Sequence, residues 1–169
     1  MRRFTPEARA ALEAAGWRIL DAPPGLTLAG LRAAGAPFKG TKYFEQQAAG
    51  TEELPVDAGE VAYRPGLMPE SLNQSFDDGQ ALLARLQDRL PAGTKVVIGP
   101  AALYVWLLVE HHRRYGEWLL RQCYTWAADR SGEAHLAVGV FGQDRPLLVS
   151  PIPEGMGRGV GVLPLVLPA

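Results

Sequence analysis

The chain has a single cysteine, no excess of either charge and no long apolar run, and each shortage removes a class of protein. One thiol, Cys123, cannot close an internal disulfide, so a disulfide scaffold is excluded. Among 169 residues, 17 basic side chains stand against 18 acidic ones, and a net charge of −1 gives no reason to expect nucleic acid as the main partner. The longest stretch free of charge, Val96 to Val109, falls short of the roughly 20 residues a membrane span needs, and Gly99-Pro100 interrupts it. The opening Met1-Arg2-Arg3-Phe4-Thr5-Pro6-Glu7 lacks the apolar run of a signal peptide, so a soluble, cytoplasmic protein is expected. No segment repeats at a fixed period. What is there is ample for a core: 47% of residues are apolar, and a chain of this length buries roughly 68–70% of its unfolded surface and needs no metal or disulfide to fold.

Local signals predict a single α+β domain over residues 1–169. Thr5-Pro6-Glu7 starts a helix that Gly16 ends, because a hydroxyl can take an orphan amide and proline suits the first turn. Trp17 to Leu20 reads as a strand, and Thr27 caps a short helix that stops at Gly35. Residues 36–69 show no sustained period and read as irregular, with one strand near Val61. Ser75-Phe76-Asp77-Asp78 forms a capping box, followed by Leu83, Leu86 and Leu90 at helical spacing as far as Pro91. Lys95 to Ile98 is a buried strand, and Pro100 opens a helix through Arg114 that is apolar nearly all round. Residues 75–120 are thus helices around one strand. Residues 121–169 are all β, with candidate strands at Arg121–Arg130, Glu133–Phe141, Arg145–Ser150 and Val160–Leu167. The expected architecture is helices packed on one face of a mainly antiparallel sheet. Pro164 removes a ladder donor, which predicts that the last strand lies at an edge or carries a bulge.

A tight turn at Ser131-Gly132 would set Thr125 opposite Val138, Ala127 opposite Leu136 and Cys123 opposite Val140. That face is apolar and should meet the helix from Ala101. The reverse face carries Tyr124 and Trp126 opposite Gly139 and Ala137, with His135 and Phe141 beside them. A one-residue slip would exchange the faces.

Familiar chemistries fail on geometry. His111 and His112 point about 100° apart on a helix, so they cannot comfortably share a metal ion, and His111-His112-Arg113-Arg114 reads as a solvated basic helix end. Cys123 and His135 fall on opposite faces of the hairpin, which leaves Cys123 a small core residue. Gly155-Met156-Gly157-Arg158-Gly159 precedes a strand where a phosphate loop needs a helix, and so reads as a loop between strands. Lys39 and Lys42 beside Phe38, Tyr43 and Phe44 have a basic-aromatic mix, but such rings in an irregular segment commonly anchor it to a core. Glu52-Glu53 and Asp77-Asp78 show no context of burial, and Asn73-Gln74-Ser75 is either a polar binding loop or local turn chemistry.

Several segments resemble a group of uncharacterised bacterial proteins with no known activity: Ala11-Leu12-Glu13-Ala14-Ala15-Gly16-Trp17, Glu60-Val61-Ala62, Leu72-Asn73-Gln74-Ser75, the Tyr104–Leu120 helix with Tyr115-Gly116-Glu117, and the terminal Gly161 to Pro168. The resemblance implies a shared fold and transfers no catalytic residue. Gly161-Val162-Leu163-Pro164 is also similar to the closing strand of C-type-lectin-like domains, which often end near Gly-Val-Arg-Pro. Leu163 replaces the family's arginine, and no calcium-ligand cluster of Glu, Asn and Asp accompanies it.

The sequence reading therefore leans away from an enzyme and toward a non-enzymatic binding or assembly module. Its contact surface would be Tyr124, Trp126, His135 and Phe141, facing an unidentified protein or small ligand, with no cofactor, metal or membrane involved. The same rings could instead be a second core covered by the N-terminal segment. On the binding reading, Trp126→Ala leaves the fold intact and abolishes partner binding. The alternatives are a small hydrolase or transferase with His111, His112 or His135 as general base, and a virion or surface component that forms a homo-oligomer through Val160–Leu167.

Overall fold

The computed structural model describes residues 2–42, 44, 51, 52, 54, 56, 59–153, 155 and 157–169. Met1, Tyr43, Glu53 and Met156 of the segments above lie outside the described residues. In chain order the elements are α1 (Pro6–Ala14), β1 (Arg18–Ala22), α2 (Leu28–Ala33), β2 (Phe38–Gly40), β3 (Thr51–Glu52), β4 (Gly59–Tyr63) and a 3₁₀ turn (Pro69–Ser71). They continue with α3 (Phe76–Gln87), β5 (Thr94–Val97), α4 (Ala101–Tyr115), β6 (Tyr124–Ser131), β7 (Ala134–Gly139), β8 (Leu147–Ile152), β9 (Val160–Gly161) and β10 (Leu165–Pro168).

The caps act as local chemistry dictates. Thr5 Oγ1 accepts the Ala8 amide at 3.2 Å, and Thr27 Oγ1 the Gly30 amide at 3.0 Å. Both halves of the Ser75–Asp78 capping box are formed. Residues 36–69 hold more than the one strand expected near Val61: β2 pairs parallel to β8 and β3 antiparallel to β6. Phe38 and Phe44 in this segment are both buried, as the anchoring reading expects.

The fold is α+β, and its strands form two sheets. One is antiparallel throughout, in the order β1-β4-β10-β5. The other runs β2-β8-β7-β6-β3, with β9 parallel to the start of β6. The C-terminal segment passes from one sheet to the other, which corrects the expectation that it lies at an edge: β10 sits inside the first sheet, between β4 and β5. Proline is accommodated because Pro164 falls in the gap between β9 and β10, outside either ladder. Val160, Val162, Leu163, Leu165 and Val166 are at most 1% exposed, and β10 has a paired strand on either side.

Helix α4 occupies the centre, with Ala101 through Val105, Leu107, Leu108 and His111 all buried. It packs against α2, β6 and β7. Tyr104 fixes its start: the hydroxyl accepts the Gly99 amide at 3.1 Å and donates to the Leu163 carbonyl at 2.8 Å. The sheet row predicted to be apolar is buried, with Thr125, Leu136 and Val138 all fully inaccessible. Among the described residues no helix is long and apolar enough to cross a membrane.

Candidate functional site

The opposite face of the β6–β7–β8 sheet carries the candidate site. Tyr124 pairs with Gly139 and Trp126 with Ala137, the register the sequence predicts. The turn differs, however. Ser131 pairs with Ala134, so Gly132-Glu133 forms the loop, and a bulge between Trp126 and Arg130 absorbs two extra residues on β6. An insertion of two leaves the side-chain alternation unchanged, so the faces stay as predicted. On β8, Ile152 pairs with His135 and Ser150 with Ala137, bringing Trp126, His135 and Ile152 onto one face.

This face is covered in part by the start of α3. The Phe76 ring stacks on His135 with centroids 3.6 Å apart and planes 7° apart, and meets Trp126 edge to face at 6.2 Å. Trp126 Nε1 donates to the Gln74 carbonyl at 3.2 Å. Two glycines let backbone close over the indole. A Cβ on Gly79 would stand 2.7 Å from Val162, and one on Gly157 would meet the Gln74 backbone and lie 3.3 Å from the Trp126 ring. Asn73 Oδ1 accepts the Gly159 amide at 2.7 Å, so the Asn73-Gln74-Ser75 loop secures the glycine loop as well as capping the helix.

A pocket of about 170 Å³ remains between these parts, lined by Phe76, Asp77, Trp126, His135 and Ile152 together with Ser75 and Gly155. That is the volume of one ring or one side chain: an engineered apolar cavity of roughly 150 Å³ holds benzene. Asp77 is exposed, and among the described residues it makes no ion pair.

The structure divides the four predicted contact residues. Trp126 and His135 meet at the pocket. Phe141 belongs to another cluster, edge to face with Trp118 at 4.5 Å and with His112 at 6.0 Å. Tyr124 is half-buried and makes no ring contact among the described residues; burial raises its pKa. Trp126 and Phe141 are each only 2% exposed, which corrects the picture of an open aromatic surface. The cover over Trp126 is α3 and the glycine loop, not the N-terminal segment, and Phe141 lies against Trp118 and His112. Phe76 escaped the sequence reading although Phe76, Gly79 and Leu83 share one helical stripe.

The histidines at the end of α4 are not a solvated basic terminus. His111 is fully buried and His112 stacks on Trp118 at 3.5 Å. Their adjacency sends them to different neighbours. The Tyr63 hydroxyl lies 2.7 Å from His111 Nδ1, and His111 Nε2 lies 3.2 Å from Glu117 Oε2. A carboxylate only accepts, so Nε2 carries the proton and the tyrosine donates to Nδ1. Arg18 holds Glu117 at 3.0 Å and lies over the Tyr115 ring at 4.1 Å. Burial, with help from the Arg18 charge, lowers the His111 pKa below its ordinary value, while Glu117 opposes the shift. Burial likewise raises the Tyr63 pKa.

A base whose pKa is depressed on folding is protonated more readily in the unfolded chain, so its stabilising contribution is complete above about pH 6.5 and is lost as pH falls below that value. Chemical denaturation between pH 7.5 and 5 should therefore show stability falling on the acid side, with a shallower fall in His111→Gln. Parallel profiles for the two proteins would contradict the assignment.

Cys123 is a half-buried free thiol whose pKa burial raises. Among the described residues no group of three His, Cys, Asp or Glu side chains is placed to hold a metal ion. No protein-family model matches the chain, and neither the curated proteins nor the solved structures contain a significant match to it.

Proposed function

We propose that the chain is a non-enzymatic binding module that takes one side chain or ring-sized group of its partner into the pocket at Phe76, Trp126 and His135. The observation that carries this reading is the pocket itself. It has aromatic and aliphatic walls, one carboxylate at Asp77, and a backbone frame fixed by the Gln74 and Asn73 hydrogen bonds. Apolar walls with a few placed polar groups are what a recognition pocket needs.

The general-base reading has two observations in its favour, the His111–Glu117 contact at 3.2 Å and the presence of His135 in the pocket with Ser75 and Asp77, although the His135 ring is stacked under Phe76. It is the weaker reading, because His111 is fully inaccessible and lies away from this pocket, and the contact that His135 makes there is ring stacking on Phe76.

The test is a titration of ¹⁵N-labelled protein with phenol, indole and the N-acetyl amides of leucine, phenylalanine, tyrosine and lysine, following the Trp126 indole N–H. At least one compound should give saturable shifts centred on Phe76, Trp126 and His135. Shifts that never saturate, or that centre elsewhere, would sink the proposal.

A further inference from the structure

A second concavity, of about 460 Å³, lies between α1 and the end of α3. Its buried side is Leu12 and Trp17, and Leu86, Leu90 and Pro91 form the wall toward α3. The volume falls within the roughly 300–1,000 Å³ of small-molecule sites.

Two guanidinium groups line it, Arg64 and Arg89. Arg64 is held in place, donating to the Ala15 carbonyl at 2.7 Å and lying 5.0 Å over the Trp17 ring. That uses one of its five N–H donors and leaves a fixed fork. Arg89 is exposed, and its side chain makes no hydrogen bond or ion pair among the described residues. Neither arginine has a carboxylate within ion-pair distance among the described residues. Glu13 on α1 pairs with Arg9, and neither it nor Asp88 lines the groove.

We propose that this groove binds a small carboxylate carried on an apolar body. The carboxylate bridges Arg64 and Arg89, and the body lies against Trp17, Leu86 and Leu90. Paired guanidinium donors suit a carboxylate fork. α1 and α3 both present their C-terminal, negative ends here, which opposes any anion and the double charge of a phosphate more than the single charge of a carboxylate, the charge that the two guanidinium groups offset. A free small molecule is favoured over a protein partner because none of the large apolar side chains that line the groove is openly exposed. The large apolar residues exposed among the described residues, Leu54, Leu72 and Tyr115, are none of them in it. A protein interface needs a much broader patch, about 800 Å² per partner.

The experiment titrates ¹⁵N-labelled protein with octanoate, octanol, octylamine and octyl phosphate and reads the Trp17 indole N–H, with Trp118, which lines neither this groove nor the Trp126 pocket, as an internal control. Octanoate should give a saturable Trp17 shift and bind at least about tenfold more tightly than octanol or octylamine, the worth of one charge-assisted hydrogen bond. Arg89→Gln, which removes no internal side-chain contact, should weaken octanoate by about tenfold while leaving thermal stability unchanged. Arg64→Lys should weaken it too, and is read beside its melting temperature because Arg64 also caps α1. Absence of a saturable Trp17 shift, equal binding of octylamine, tighter binding of octyl phosphate, or no effect of Arg89→Gln would each overturn the proposal.

Discussion

Replacing Trp126 by alanine is expected to lower the stability of the fold by about 3–5 kcal/mol, the range for truncating a buried aromatic ring. In a chain of this size, that is a fall in melting temperature of roughly 10 °C or more. The indole is 2% exposed and joins three separate parts of the chain. Phe76 packs on it from α3, the Gln74 carbonyl takes its N–H, and Gly157 closes over it. Alanine leaves that carbonyl without its donor and opens a cavity at the point where α3 and the glycine loop meet the sheet. From the sequence, a stable variant that merely loses its partner is expected, and burial reverses that expectation. Thermal and denaturant unfolding check this directly, and a variant within about 1 kcal/mol of wild type would show that the ring is peripheral.

Asp129→Ala should cost a comparable amount, about 2–5 kcal/mol, by leaving two amides without acceptors. Asp129 is 1% exposed, its Oδ1 accepts the Leu54 amide at 2.7 Å, and its Oδ2 accepts the Ala101 amide at the first turn of α4. The carboxylate thus meets the positive end of the central helix from a strand, and it supplies what Pro100, at the cap position, has no side-chain acceptor to give. Asp129→Asn keeps one amide oxygen to accept and should lose roughly half as much. Denaturant midpoints for the two variants give the order. Equal stabilities for Asp129→Ala and wild type would show that the amides find water instead.

The bulge explains why Asp129 is buried. The ladder shifts between Trp126 and Arg130, and the freed stretch turns Asp129 toward α4 while the Ala128 amide reaches the Gly99 carbonyl at 2.9 Å. Nothing in the residues Ala127-Ala128-Asp129 announces this. A bulge is settled by what the strand must reach on another element, and strand periodicity carries no record of that.

Caps were legible for the opposite reason. The signals at Thr5, Thr27 and Ser75 act within three residues, so the chain displays both partners together. The hairpin faces were legible because alternation survives an insertion of two, even though the turn falls one residue later than expected. Strands β2 and β3 have three and two residues, too few to show a period, and exist through pairing with β8 and β6. The place of β10 within its sheet was hidden because Pro164 suggested an edge, whereas the chain leaves the ladder at that residue and rejoins it in the other sheet.

The candidate site was half legible. Trp126 and His135 follow from alternation along β6 and β7, but Ile152 arrives through the register of β8 on β7, and Phe76 and Asp77 come from a helix whose approach depends on Gly79, Gly157 and the Asn73 bond. The His111 cluster joins β1, β4 and α4: Tyr63 and Arg18 lie 48 and 93 positions from the histidine, so they share no local pattern with it.

The most direct test of the binding assignment is to fill the pocket while sparing its frame. Ile152 is half-buried at the pocket wall, and Ile152→Trp places a ring in the space without touching the Trp126 or Asn73 hydrogen bonds. The compound that binds most tightly to the wild type should then lose at least about tenfold in affinity, with a melting temperature within a few degrees of wild type. Undiminished binding by a folded Ile152→Trp protein would contradict the assignment of this pocket as the binding site.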